Sequence, residues 1–314
     1  MKRYLPLIAV AALLVTVAAI VIQKKEAQTD VPSSTAAIVQ PTENIGTFTR
    51  QQSCARAPQF LNALKIPQPV MIDLSQKRFK GIALLYGKNF EKVLHPRQWE
   101  QYAHLSTYTV DTMGNLYLIP TPYISIHPTT FNLQKNIYKL DSKTGKLTLW
   151  MHIDDIHPSA NNPYGLSAIT YDCDDGTLWA AAIDESDYRQ QKGVIYHIDP
   201  RTKEILQRLE GVDALSLVLL KSSHGKYLLV GSARDNALYA YPIEEQNLID
   251  KPIKLLELPN ANEHIRKIKV TGNNQLELQS IPFSYTLIAQ TAKKDRLIYN
   301  VFWNPQGQWT TKRR

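Results

Sequence analysis

The sequence predicts an all-β fold, a closed ring of small antiparallel sheets, and three observations carry that expectation. A short apolar run ending in tyrosine recurs five times: Ile82-Ala83-Leu84-Leu85-Tyr86, Asn136-Ile137-Tyr138, Val194-Ile195-Tyr196, Ala237-Leu238-Tyr239 and Leu297-Ile298-Tyr299. Turn residues follow several copies, as in Asp141-Ser142-Lys143-Thr144-Gly145, Asp199-Pro200-Arg201-Thr202 and Asn304-Pro305-Gln306-Gly307. Asp and Asn bond their own backbone there, Pro presets φ, and Gly accepts positive φ. A further hairpin precedes each of the last four copies.

The elements follow in chain order. Lys2 and Arg3 precede residues 5–22, eighteen positions without a charge, and Gln23-Lys24-Lys25 close the run. About 20 apolar residues match the hydrocarbon core of a bilayer, so residues 1–25 read as an N-terminal hydrophobic helix. It serves either as an uncleaved membrane anchor or as a signal segment cut near Ala18-Ala19. The short N-terminal flank and the large domain behind it fit export of that domain to the periplasm or cell surface. Residues 26–52, rich in Thr, Ser, Gln, Pro and Ala, read as a flexible tether. Residues 53–314 are left as one large all-β domain.

Residues 69–95 form a partial first unit. The next four each offer four strands in about 45–60 residues, a repeat length typical of propeller blades. The leading hairpins turn at Met113-Gly114-Asn115, Asp174-Asp175-Gly176, Ser223-His224-Gly225 and Gly272-Asn273-Asn274. One four-stranded sheet cannot bury both of its faces; stacking sheets around an axis does. Direct counting gives a β-propeller of five blades, or six if residues 53–95 hold a degenerate extra blade. Strands from both chain ends commonly share one sheet to close such a ring, and the partial first unit would allow it.

Composition narrows the function classes. The chain of 314 residues is 44% hydrophobic and 20% charged, with a formal net charge of +8. Its Lys and Arg are spread along the chain and nowhere interleaved with aromatics as in a nucleic-acid groove, which argues against a nucleic-acid partner. No Walker loop, Gly-x-Ser-x-Gly elbow, His-Glu-x-x-His or Cys-x-x-Cys occurs. Cys54 and Cys173 are the two cysteines. In an exported chain they either pair, closing a loop of over a hundred residues, or stand as two thiols.

In a propeller, the connections between second and third strands, and those between blades, share one end. The longest polar segments fall there: 120–135, 152–162 and 184–192. Long loops on a rigid scaffold commonly carry function, so this end is the expected ligand face. Its candidates are His152, Asp154, Asp155, His157, Asn161, Asn162, Asp184, Glu185, Asp187, Arg234, Asn262, Glu263 and His264. Imidazole and carboxylate suit a divalent cation such as calcium or zinc, with Asp154, Asn162 and Asp184 the weak candidates for its ligands. On an extended chain His152 and Asp154 would share one side and Asp155 and His157 the other. The plainer reading of each cluster is a solvated polar loop. The repeated tyrosines, Trp150 and Trp179 read as packing residues.

The stretch Asn162-Pro163-Tyr164-Gly165-Leu166-Ser167-Ala168-Ile169-Thr170-Tyr171-Asp172-Cys173-Asp174-Asp175-Gly176-Thr177-Leu178-Trp179, continued by Val194-Ile195-Tyr196-His197-Ile198-Asp199, resembles the repeat of NHL propellers and of the SMP-30/gluconolactonase group. Thr109-Val110-Asp111 through Gly114-Asn115-Leu116-Tyr117 is a shorter match, and the resemblance covers residues 100–300 at the level of blades. It implies a propeller, usually of six blades. For the lactonases it implies a divalent cation held at the axis by Glu, Asn and Asp. The Asn of the family's Pro-Asn-Gly turn is replaced here by Tyr164, with Asn162 two residues upstream. Two functions stand from this reading. One is a recognition or scaffolding module of the cell envelope, binding a protein, peptide, glycan or small molecule. The other is a metal-dependent lactonase or esterase.

Overall fold

The computed structural model describes residues 44–50, 53–74, 80–102, 104–121, 131–286, 296–304 and 307–314. The hydrophobic segment at residues 5–22 lies outside them, and no helix among the described residues is long and apolar enough to cross a membrane.

The described strands form five antiparallel sheets. The first holds β1 (Met71–Asp73), β2 (Ala83–Tyr86) and β3 (Lys92–Leu94). The second holds β4 (Leu105–Val110), β5 (Leu116–Pro120), β6 (Asn136–Leu140) and β7 (Leu147–His152), and the third β8 (Leu166–Asp172), β9 (Thr177–Ala182), β10 (Val194–Ile198) and β11 (Ile205–Glu210). In the fourth, β12 (Ala214–Ser222), β13 (Gly225–Ser232) and β14 (Ala237–Glu244) precede two short strands, β15 (Asn247–Leu248) and β16 (Ile253–Glu257). Both of these pair with β14, so the outer edge of this blade is a split strand. The fifth holds β17 (Glu263–Gly272), β18 (Gln275–Pro282), β19 (Leu297–Trp303) and β20 (Trp309–Arg313). These sheets are the five blades of a β-propeller, four complete and a three-stranded first one, as the repeat count predicts.

Side-chain alternation explains the radial arrangement. Strand residues point to opposite faces in turn, and in β9 both sets are apolar. Leu178, Ala180 and Ala182 pack toward the second blade with Tyr117, Ile137 and Trp150. Trp179 and Ala181 pack toward the fourth with Leu217, Leu228 and Val230. In β14, Leu238 and Ala240 face the fifth blade, with Ile265 and Leu278. Tyr241 and Ile243 face the third. A sheet apolar on both faces needs a neighbour on each side, which a ring provides.

The repeated tyrosines pack as the sequence implies, and each hydroxyl of the last four meets a polar group. Tyr138 OH accepts from Asn136 Nδ2 at 3.1 Å. Tyr196, Tyr239 and Tyr299 donate to Asp155, Asp235 and Glu263 at 3.4, 2.7 and 2.7 Å.

Among the described residues the ends of the chain do not share a sheet, because the fifth blade consists of four consecutive strands. A strap runs under the propeller instead, at the end carrying the turns between first and second strands, here called the lower end. Residues 44–50, which the sequence reading put in the tether, dock there through buried Ile45 and Phe48. Phe48 exchanges hydrogen bonds with Asn274, its N–H reaching Oδ1 at 2.7 Å and its carbonyl accepting at 2.9 Å. Cys54 is disulfide-bonded to Cys173 in the lower turn of the third blade. Phe60 then donates to Ser142 O at 2.8 Å and begins helix α1 (Phe60–Ala63), whose buried residues join the core of the first two blades.

Candidate functional site

The upper end carries every candidate proposed from the sequence, and the structure divides them into small groups. His152 ends β7, with Nδ1 2.6 Å from Asn136 Oδ1 and Nε2 3.4 Å from the exposed carboxylate of Asp154. The next pair does not stay together. Asp155 meets Arg208 at 2.6 Å and the Tyr196 hydroxyl at 3.4 Å, whereas His157 turns to Asp184. Alternation fails there because the extended chain ends at His152 and a turn follows at residues 154–155.

Asp184 accepts the main-chain N–H of His157 at 2.5 Å, and its other oxygen lies 3.6 Å from His157 Nδ1. Burial raises its pKa above the usual carboxylate range, against the pull of the His157 N–H. Glu185, at φ 43°, pairs with Lys192 at 3.3 Å. Asp187 accepts the N–H groups of Arg189 and Gln190 at 2.6 and 2.7 Å, and those bonds hold its carboxyl below the usual range, Gln190 first.

Asn161 is exposed, but Asn162 is buried and saturated. Its Nδ2 donates to the carbonyls of Ile183 and Ser186 at 2.9 and 2.8 Å, and Oδ1 accepts from Tyr164 N–H at 3.1 Å. Glu263 is buried too and accepts from Ser280 Oγ and Tyr299 OH. Asn262 is exposed, its N–H bonded to Asn260 Oδ1 at 3.0 Å. Among the described residues, no three His, Cys, Asp or Glu side chains are grouped so as to hold a metal ion. Asp154, Asn162 and Asp184 thus sit in three separate hydrogen-bonding arrangements.

What converges is aromatic. Tyr164 lies between the second and third blades, Tyr188 in the upper loop of the third, and Phe283 and Tyr285 in that of the fifth. Tyr164 and Phe283 have ring centroids 5.3 Å apart, Phe283 and Tyr285 5.2 Å, and Tyr285 and Tyr188 5.4 Å. His264 lies edge-on to Phe283 at 5.7 Å. The fourth blade's upper connections are only a few residues long, so loops from the blades on either side meet above it. Tyr188 OH donates to Ser284 Oγ across this gap at 2.7 Å, while its ring is 66% exposed.

Polar groups hold the floor in place. Asp213 accepts Ser186 Oγ at 2.5 Å, Gly193 N–H at 2.9 Å and Tyr285 OH at 2.6 Å. Arg234 of the fourth blade donates to the carbonyls of Asp187 and, at 2.9 Å, Tyr188. Sequence reasoning found Arg234 and the Asp187 loop. It missed Asp213 and all four floor aromatics, whose signal was aromatic rings in upper connections rather than strands.

No family model matches the chain, and no curated protein matches it. Solved structures do match. Hydrazine synthase from Kuenenia stuttgartiensis is similar at 11% identity over 87% of this chain and 67% of that one, with a TM-score of 0.48. A glucose dehydrogenase is similar at 12% identity, over 80% and 92% of the two chains, with a TM-score of 0.44. The PQQ-bound aldose sugar dehydrogenase from Streptomyces coelicolor gives 9% identity, 90% and 99% coverage, and a TM-score of 0.34. Likeness at this level transfers no activity, and the fold rests on the sheet topology itself.

Proposed function

We propose that the chain is a recognition or scaffolding module of the cell envelope whose ligand docks on the aromatic floor at the upper end of the propeller. The clamped floor is the observation that supports this reading. Tyr164, Tyr188 and Phe283 are partly exposed, buried Tyr285 packs edge-on to the last two with its hydroxyl on Asp213, and Arg234 holds the Tyr188 carbonyl, so the rings offer an apolar contact fixed from within. Such surfaces bind with little loss of side-chain freedom. The uncharged run at residues 5–22 supports an envelope location, and the disulfide supports an oxidising compartment.

Site-specific photo-crosslinking tests the reading. A photoreactive side chain placed at Tyr188 in the full chain, in cells, is expected to capture an envelope component. The same group at Lys143, in a lower turn, is not. Equal capture at both positions, or none at Tyr188, would overturn the docking face. Lactone hydrolysis by the purified chain on addition of calcium or zinc would replace this reading with the metal-dependent lactonase.

A further inference from the structure

The inner strands of the four complete blades share an irregularity. Each pairs with its neighbour through a register slip near its upper end, between Leu105 and Thr107, Leu166 and Ala168, Ala214 and Ser216, and Ile265 and Lys267. The displaced residues are Ser106, Ser167, Leu215 and Arg266. Bulges re-aim side chains, and in two blades the re-aimed hydroxyl closes on backbone. Ser106 Oγ donates to Pro120 O at 3.0 Å, and Ser167 Oγ to Ala214 O at 2.6 Å.

The fifth blade puts an arginine at this level. Nη1 of Arg266 donates to Leu215 O at 3.1 Å, and among the described residues the guanidinium has no carboxylate partner. Desolvation lowers its pKa, and Arg296 acts in the same direction. The cation lines an axial cavity of about 190 Å³ together with Lys267 and the hydroxyl residues Thr107, Thr170 and Ser216, and no Asp or Glu is among the described lining residues. Arg266 is half-buried, and drawing an unpaired charge even partly out of water costs free energy unless a partner compensates it. The cavity at the lower end differs, because its Lys221 and Lys226 are already paired with Asp174 and with Asp172 and Asp175. Leu215, whose carbonyl accepts from Arg266, packs in one cluster with Tyr285, Tyr164 and Phe283, which sets Arg266 beside the aromatic floor.

We propose that Arg266 anchors an anionic group, a carboxylate or a phosphate, of the ligand that docks on the aromatic floor; this rests on the recognition reading above. A planar guanidinium matches the paired oxygens of either group. Lys267 adds a second positive charge along the same wall.

Thermal unfolding of the full chain in detergent tests this, with inorganic phosphate, glucuronate and neutral glucose as probes at equal ionic strength. Phosphate or glucuronate is expected to raise Tm and glucose is not; whichever anion acts at lower concentration names the source of the charge. In R266Q the ligand-free Tm should be unchanged or higher, since an uncompensated charge is gone, and the apparent affinity for the anion should fall at least tenfold. R266K should keep a weakened response. A lower ligand-free Tm in R266Q with the anion response intact would make the arginine structural and overturn the proposal. Equal stabilisation by glucose and glucuronate would overturn the anion anchor while leaving the docking face standing. No response of the wild type to either anion would overturn the anchor alone, because photo-crosslinking at Tyr188 tests the face independently. Should R266Q not fold, the Arg266 Nε–H resonance of the wild type gives the same answer, shifted by an anion and not by glucose if the proposal holds.

Discussion

His197 is buried in the third blade, stacked on Trp179 with centroids 3.9 Å apart, its Nε2 2.8 Å from Thr177 Oγ1. Burial pushes its pKa below the ordinary histidine value, although Asp172 and Asp175 pull the other way. The folded protein therefore binds fewer protons here than the unfolded chain once pH drops through about 6.5. Stability from this residue is complete above that value and is lost as pH falls toward the folded pKa. Urea midpoints at pH 7.5 and 5.5 should differ in the wild type and differ less in His197→Gln. At Asn162 the expectation concerns unmade bonds. Asn162→Ala leaves the carbonyls of Ile183 and Ser186 without their donor and should cost about 1–3 kcal/mol by denaturant unfolding. At this scale the sequence identified polar residues but not their roles. Asn162 and Glu263 read as possible ligand contacts, yet both are consumed inside the protein, which only the partners' positions reveal.

Hairpins were the most legible elements. Their signals are local: turn residues at fixed offsets between apolar runs, which is why the hairpins β4–β5, β8–β9, β12–β13 and β17–β18 turn where the sequence places them. The split edge of β15 and β16 carries no such signal, because two short strands pair with β14 in place of one. The floor aromatics were missed for a related reason. In a chain rich in strand tyrosines, Tyr164, Tyr188, Phe283 and Tyr285 look like core, and their meeting depends on which loops are short. Close packing between elements yields a prediction from glycines. A Cβ on Gly231 would lie 2.3 Å from Ile265 O in β17 and 2.3 Å from Ser216 Oγ. Gly231→Ala should therefore push the fourth and fifth blades apart, at about 1–3 kcal/mol. Gly211 has φ +78° and open space around the same position, so Gly211→Ala meets only backbone strain of about 1 kcal/mol. Comparing the two by thermal unfolding separates steric from conformational cost, and Gly231→Ala should be the more damaging.

For the molecule as a whole, the ring was foreseeable from repeat length and from strands apolar on both faces. The strap beneath it was not, because it is irregular chain without a strand period. Its attachments are Ile45, Phe48, Cys54 and Phe60, separate points on the lower turns. The cysteine pair spans 119 positions. In the chain-entropy description a loop of that length contributes about 4–5 kcal/mol. Cys173→Ser is expected to lower the urea midpoint accordingly, and dithiothreitol should lower the wild type to match while leaving the variant unchanged.

The strap also determines how the protein would bear tension. A pull on residue 44 peels Ile45 and Phe48 away from the lower turns one contact at a time, since each is held by a few hydrogen bonds and one side chain. At Cys54 the peeling meets a covalent stop anchored in the third blade. Load then passes into that blade, and Phe60 with the first two blades behind it stays unstrained. Single-molecule stretching should show a short extension followed by a stiff plateau, and reductant should erase the plateau.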